Sequence, residues 1–383
     1  MKIQNLSLKN FKKFQEKHLS FCDSETELAK DLIVLVGKNG SGKSSILQAI
    51  AATLAQATGR LQSPEHLKWP GFNWQLLNAA WPAPLEIELQ VSFSFDEIRA
   101  TQEYFERTPQ TLEKNRLRPS ESKNVTLKLD ADNLQVTTEN SSELYQFWGR
   151  DYAHKIVKKA KEGFALFKRV GTVFWYTEHR TTNSLTPFKE NGKEILFNIS
   201  RKSFCAQKLY FTFKFRARNL NVKCEMDLLR RRLSDLMGFH ERIQRGEWQL
   251  QLGQRDIYVD LAKAYQTVFP DHRFYGPAPR ANIDEVLAEP WFYLFDGNRP
   301  YELGEMSGGE RAIFPILLDF ANWNIHNSVI LIDELELHLH PPLQQGLLRA
   351  LRHLGNNNQF IVTTHSNAIA AVTPKEALYR LEA

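Results

Sequence analysis

Cysteine is scarce. The chain of 383 residues has three, Cys22, Cys205 and Cys224, odd in number and far apart. With no C-x-x-C pair, neither a zinc ribbon nor a disulfide framework is indicated, and a reducing compartment fits. Long apolar runs are also missing. None approaches the roughly 20 residues that span a bilayer. The opening Met1–Phe14 alternates apolar and polar residues among lysines, unlike a signal peptide or an anchor. The expectation is a cytoplasmic protein with no membrane partner. There is no large excess of one charge either: the net formal charge is +5, which permits a nucleic-acid partner without requiring one. Internal repeats, low-complexity tracts and sustained heptads are absent, so a solenoid and a long coiled coil are excluded. With 42% hydrophobic and 24% charged residues, the composition is that of an ordinary globular chain, long enough for one large domain or two to three smaller ones.

What is present is a glycine-rich stretch, Gly37-Lys38-Asn39-Gly40-Ser41-Gly42-Lys43-Ser44, followed by Ser45. An apolar run, Leu32–Val36, precedes it and an apolar-periodic segment, Ile46–Leu54, follows. Strand, glycine-rich loop and helix are the context of a phosphate-binding P-loop. Glycines let successive backbone N–H groups curl into a nest for phosphate oxygens, and the helix N-terminus adds partial positive charge. Lys43 would reach the β- and γ-phosphates and the Ser44 hydroxyl would sit on Mg²⁺. From average glycine usage, a chance match in a chain of this length is on the order of one per cent.

Before this loop, Lys2–Leu8 reads as a strand and His18–Phe21 as its return. After it, Ser63–Pro84 is rich in Trp and Pro, and those aromatics either pack or stack on a base, with packing favoured. Leu85–Phe95 alternates cleanly as a strand, Asp96–Phe105 as a helix, and Val125–Leu129 with Leu134–Thr138 as a hairpin. One helix is expected over Ser142–Phe167, with a basic patch at Lys155, Lys158, Lys159 and Lys161. A short strand, Val173–Tyr176, runs into Thr177-Glu178-His179-Arg180. Strands are expected within Ile195–Phe215, and an amphipathic helix over Cys224–Ile243 carries Arg230-Arg231-Arg232. The basic middle is either a solvated face or a nucleic-acid surface.

Three more elements follow. Glu305-Met306-Ser307-Gly308-Gly309-Glu310-Arg311 precedes an apolar helix and makes a second anion-binding helix end. Val329–Ile332 is a buried strand that delivers Asp333 and Glu334 at its C-terminal end, where open parallel sheets bind ligands. Asp333 suits Mg²⁺, and Glu334 suits the deprotonation of an attacking water. Gln359–Thr364 is another apolar strand, ending in His365, a histidine that either contacts a γ-phosphate or is structural.

In this order the elements resemble the ABC-type ATPase head, in its SMC-like, RecF-like and OLD-like branch, over nearly the whole chain. Glu334-Leu335-Glu336-Leu337-His338-Leu339-His340-Pro341 is similar to the Asp-Glu-Pro-Glu-x-x-Leu-His-Pro stretch of OLD-like proteins, with Leu335 in place of proline. The resemblance implies an α/β P-loop NTPase fold. A mixed central sheet would be flanked by helices, with a large α+β insertion between P-loop and signature. The expected divisions are 1–68 for the N-terminal ATPase lobe, 69–289 for the insertion, part of it returning to the sheet, and 290–383 for the C-terminal lobe. It also implies ATP and Mg²⁺. Gly37, Asn39, Gly40, Ser41, Gly42, Lys43, Ser44 and Ser45 would bind nucleotide, and Ser44 and Asp333 the metal. Glu334, His365 and Lys43 would be catalytic.

Two heads would sandwich ATP, with Ser307, Gly308 and Gly309 of one capping the γ-phosphate held by the other, in a homodimer or a larger homo-oligomer. Glu336 and His340 would contact the partner head or serve helix entry. Thr177–Arg180 is the candidate Q-loop. P-loop and signature lie much further apart than in transporter ATPases, so a transporter subunit is not expected. No nuclease domain follows His365, so a nuclease or other effector would be a separate chain. The resemblance points to the ATPase of an anti-phage defence system, and alternatively to a RecF-like DNA repair factor clamping duplex DNA through its basic middle.

Overall fold

The computed structural model describes residues 1–108, 118–130, 134–157, 163–178, 188–190, 193–195, 223–251, 253–279 and 290–382. Its centre is a parallel sheet made from strands far apart in sequence: β3 (Leu32–Val36), β7 (Val173–Tyr176), β13 (Val329–Ile332), β14 (Gln359–Thr364) and β15 (Leu378–Arg380). The spatial order is β15-β3-β14-β13-β7, and all neighbours pair in parallel. Parallel strands buried on both faces read as continuous apolar runs, as Leu32–Val36 and Val329–Ile332 do. Their side chains alternate between two cores. Ile33, Leu35, Val329, Leu331 and Ile361 face one, and Val34, Val36, Ile330, Ile332 and Val362 face the other.

On the first face lies α1 (Lys43–Ala57), twelve of whose fifteen residues are buried. A helix apolar nearly all round must be covered on every side. Here the second cover is an antiparallel sheet of β1 (Lys2–Phe11), β2 (Phe14–Ser20), β4 (Glu86–Ser92), β5 (Asn124–Asp130) and β6 (Gln135–Thr137), in the order β2-β1-β4-β5-β6. Beside it pack α2 (Phe95–Arg107), α3 (Ser141–Gln146) and α4 (Gly149–Val157). A two-stranded pair, β8 (Phe188–Glu190) and β9 (Lys193–Ile195), stands apart from both sheets.

The other face is covered by α5 (Lys223–Gln244), α6 (Ile257–Val268), a three-stranded antiparallel sheet of β10 (Arg273–Ala278), β11 (Trp291–Phe295) and β12 (Pro300–Glu302), α7 (Gly308–Trp323) and α8 (Pro341–Leu351). The short α9 (Asn367–Val372) leads to β15. No described helix is long and apolar enough to cross a membrane.

Two expected boundaries move for local reasons. The alternating run beginning at Leu85 ends at Ser92, because Ser94 caps α2: its hydroxyl accepts from the Glu97 N–H while the Glu97 carboxylate accepts from the Ser94 N–H. That reciprocal capping box fixes the helix start at Phe95, the residue at which the strand was expected to end. The single helix expected over Ser142–Phe167 is instead α3, α4 and a 3₁₀ segment, Gly163–Arg169. The break at Phe147-Trp148 sends Phe147 into the core against Phe93, with ring centroids 4.9 Å apart. The Trp148 indole N–H meanwhile donates to the Ala57 carbonyl at 3.0 Å. The strands expected within Ile195–Phe215, apart from the end of β9, lie outside the described residues.

Candidate nucleotide site

The site forms where β3, β13 and β14 all end. The P-loop leaves β3 and enters α1 with Gly40 at φ +79° and Gly42 at φ +90°, a left-handed backbone that favours glycine. Gly42 is also the point of closest approach: a Cβ there would lie 2.3 Å from the Phe14 ring. Lys13, beside Phe14 in the β1–β2 turn, donates to the Gly40 carbonyl at 3.0 Å. The turn of the first hairpin therefore braces the loop. Lys38, Asn39 and Gly40 are exposed, while Ser41 and Lys43 are buried. The Lys43 ammonium donates to the carbonyls of Gly37 at 2.7 Å and Lys38 at 3.0 Å, curled into the loop it would leave to meet phosphate. The buried Ser41 hydroxyl has no partner.

At the end of β13, Asp333 is 1% exposed and its carboxylate is held on both oxygens. Oδ1 accepts from the Ser44 hydroxyl at 3.0 Å and from the Thr363 hydroxyl at 2.6 Å, and Oδ2 accepts from the Trp69 indole at 3.3 Å. The Thr363 hydroxyl in turn accepts from the Glu334 N–H at 2.8 Å. Ser44, Trp69 and Thr363 thus converge on one carboxylate, that of Asp333. A Ser hydroxyl and an Asp carboxylate side by side at a P-loop are a hard-oxygen pair suited to Mg²⁺, and when bound that ion would neutralise charge on the phosphates.

Glu334 turns out of the strand at φ +47°, a strained backbone for a non-glycine residue. Burial pushes its carboxyl above the usual glutamate range; Asp333, Glu178 and Glu336 push the same way and His365 opposes them. Those interactions gather Glu178, the described part of the Q-loop candidate, and His365 around Glu334. His179 and Arg180 lie outside the described residues. His365 is half-exposed and its Nδ1 sits 2.9 Å from Glu336 Oε1, which also accepts the His365 backbone N–H at 2.6 Å. Glu336 therefore has a contact inside its own chain. His340 stands at the N-cap of α8 with Pro341 at its first turn, the helix-entry alternative.

Ser307 caps α7, and Ser307 and Gly308 are exposed. A Cβ on Gly308 would lie 3.5 Å from His338 Cβ, and one on Gly309 would lie 3.1 Å from Leu339. The signature end therefore packs on the loop that follows Glu334.

Two of the three arginines in the Arg230-Arg231-Arg232 run are held by partners within the chain. Arg230 is buried in a bidentate pair with Glu302, at 2.8 and 2.9 Å, over the Trp291 ring. Arg232 donates to Asn322 at 2.5 Å. Lys155 pairs with Asp151 at 2.7 Å, while Lys158, Lys159 and Lys161 lie outside the described residues. Breaking a desolvated pair strands a charge, so Arg230→Ala is expected to lower folding stability by about 3 kcal/mol, read as the urea midpoint. An unchanged midpoint would show that the pair is not structural.

Lys13, Phe14, Trp69 and Thr363 were not singled out as site residues. Trp69 belongs to the Trp- and Pro-rich segment, which packs over the site: its ring is 5% exposed, and the Trp81 indole donates to the Lys12 carbonyl at 2.7 Å. Trp69→Phe leaves the Asp333 carboxylate one donor short in a buried setting. A loss of about 2 kcal/mol is expected, smaller when Mg²⁺ and ATP are present, because the ion takes over that charge. Thermal melts with and without Mg²⁺·ATP measure both; an equal loss in each would separate Trp69 from the metal site.

A P-loop at the end of β3, paired carboxylates at the end of β13 one strand further across the sheet, and a Ser-Gly-Gly helix start packed behind them define a P-loop ATPase fold. Two family models match parts of the chain. Residues 1–62 match the family model described as "AAA ATPase domain", and residues 228–371 match "AAA domain, putative AbiEii toxin, Type IV TA system". Along the chain's whole length it is 25% identical to the Retron Ec83 probable ATPase of Escherichia coli, covering 72% of that protein. It is 22% identical over 99% of its length to the Retron Vc95 probable ATPase of Vibrio cholerae serotype O1 biovar El Tor, covering 73%. Among solved structures, an SMC head bound to the C-terminal winged-helix domain of ScpA aligns with TM-score 0.49 and 16% identity, over 99% of this chain and 96% of that one. The SMC head domain from Thermotoga maritima aligns with TM-score 0.42 and 16% identity, over 97% and 92%.

Proposed function

We propose that the protein hydrolyses ATP between two copies of itself and uses that cycle to control a separate effector in a prokaryotic anti-phage defence system. The observation that carries the ATPase reading is the Ser44–Asp333 hydrogen bond of 3.0 Å, which joins the P-loop to the carboxylate strand with Glu334 one residue on. In this reading the loop amides and Lys43 hold the phosphates, Ser44 and Asp333 hold Mg²⁺, Glu334 takes the proton of the attacking water, and His365 meets the γ-phosphate. Ser307, Gly308 and Gly309 cap the nucleotide of the other copy, which accounts for two anion-binding helix ends in one chain. The effector reading is supported by the likeness, over this chain's length, to 72% and 73% of the two retron probable ATPases and by the toxin–antitoxin description of the family model matched by residues 228–371. The paired states of Arg230 and Arg232 weigh against the alternative, a DNA clamp built on that surface.

The test is steady-state ATP hydrolysis by the purified chain, with and without duplex DNA. A Mg²⁺-dependent rate unchanged by DNA supports control of a protein effector. Strong stimulation by DNA favours the clamp, and no hydrolysis under any condition overturns the enzyme reading.

A further inference from the structure

The carboxylate of Glu310 faces two ways. Oε2 accepts from the Ser307 backbone N–H at 2.8 Å and completes the capping box that shapes the signature end of α7. Oε1 accepts from the Tyr265 hydroxyl at 2.8 Å and from the Tyr301 hydroxyl, and the His272 Nε2 lies 3.7 Å away. Tyr265 comes from α6, Tyr301 from β12 and His272 from the residue before β10. Glu310 is 5% exposed, Tyr265 0% and Tyr301 7%. The Tyr265 ring lies parallel to Phe274 of β10, with centroids 5.2 Å apart, and edge-on to Phe314 of α7 at 6.0 Å.

A buried carboxylate is costly unless several donors satisfy it. Here one donor belongs to the signature and the others to the layer formed by α6 and the β10–β12 sheet. Apolar packing alone would join α7 to that layer; the hydroxyls add a fixed direction. Burial, and after it Glu310 (through its charge at Tyr265 and its hydrogen bond at Tyr301), push both phenols above the usual tyrosine range, so they stay donors.

Resting on the ATP-sandwich reading above, we propose that Tyr265 and Tyr301, with His272 beside them, are positioning residues. Through Glu310 they set the Ser307-Gly308-Gly309 end for the γ-phosphate held by a second copy.

The signature acts across the dimer, so the test is made on mixed dimers purified through two different tags, in which Lys43→Ala leaves one working P-loop. Tyr265→Phe and Tyr301→Phe keep the rings and remove the hydroxyls. Placed in the Lys43→Ala subunit, so that the altered signature faces the working P-loop, the pair is expected to lower kcat about tenfold with little change in KM. Placed in the subunit that owns the working P-loop, it should leave the rate of the mixed dimer unchanged. A merely structural defect would lower both arrangements alike and would overturn the proposal. Ser307→Arg in the same two arrangements is the control. If it shows no asymmetry, the sandwich reading itself fails; if it does and the tyrosines do not, only the positioning role falls. Tyr301→Phe alone gives the same readout if the double variant does not fold.

Discussion

Glu334→Gln is expected to abolish turnover while nucleotide binding, and nucleotide-dependent pairing of the chains, persist. The side chain keeps its size and its place after β13, and the Glu334 N–H still reaches the Thr363 hydroxyl, since that bond comes from the backbone. What is lost is a base beside the attacking water. General-base catalysis contributes roughly 10²–10⁴-fold, so a rate fall of that size, with affinity for Mg²⁺·ATP within about twofold of the parent, is the predicted result. Near-normal turnover would remove Glu334 from the role.

The environment of Glu334 adds a pH signature. Burial first, then Asp333, Glu178 and Glu336, raise its carboxyl above the ordinary glutamate range. A base must be ionised to act, so turnover should fall as pH drops through this raised value, with the acid limb of the kcat profile displaced upward from where a solvated glutamate would place it. The stability term has the other sign. A carboxyl that holds its proton more tightly when folded favours the folded state below its unfolded value, and that contribution is lost as pH rises through the folded one. Activity and folding stability therefore move oppositely with pH at this residue. Glu178→Gln removes one of the three neighbouring carboxylates and should move the acid limb back down.

The parts of the site legible in the sequence are those made by contiguous residues. Leu32–Val36 followed by Gly37–Ser44, and Val329–Ile332 followed by Asp333-Glu334, each carry strand and chemistry in one stretch, so period and motif agree. Ser307…Glu310 was legible in the same way. What sequence could not show is which distant residues close on Asp333. Trp69 lies 264 positions away and comes from a segment with no period, and its donation to the carboxylate exists only because α1 and the hairpin turn hold the loop there. Thr363 stood in view beside His365, but its role depends on β14 lying next to β13, a neighbour relation set by tertiary pairing. Arg230 shows the opposite case. A run of three cations reads as a surface, yet one turn of helix spreads them around its axis and buries Arg230 against Glu302. Capping boxes, by contrast, were a usable signal: Ser94 with Glu97 and Asn140 with Glu143 mark the starts of α2 and α3.

Asp333→Asn should be the more damaging change, although it only replaces one carboxylate oxygen with an NH₂ group of nearly the same size. The carboxylate accepts from three side-chain donors, Ser44 and Thr363 on Oδ1 and Trp69 on Oδ2. An amide has one acceptor oxygen and one donor nitrogen, so whichever way it turns, an N–H meets at least one of those donors. If the oxygen keeps Ser44 and Thr363, the nitrogen opposes the Trp69 indole; if it keeps Trp69, both hydroxyls must rotate away. Leaving a buried donor unsatisfied costs about 1–3 kcal/mol, so a lowered melting temperature is expected even without ligand. The functional loss is separate and larger. A neutral amide oxygen is a weaker ligand for a hard divalent cation than a carboxylate, and the Ser44 hydroxyl, no longer ordered by Asp333, is a poorer second one. Mg²⁺-dependent stabilisation of the protein by ATP should therefore vanish in Asp333→Asn while persisting in Glu334→Gln. Melting curves of the two variants, taken with ATP in the presence of Mg²⁺ and of EDTA, make the comparison. Equal Mg²⁺-dependent stabilisation in both would show that the ion is held without Asp333, and the metal assignment would move to the other carboxylates gathered around Glu334.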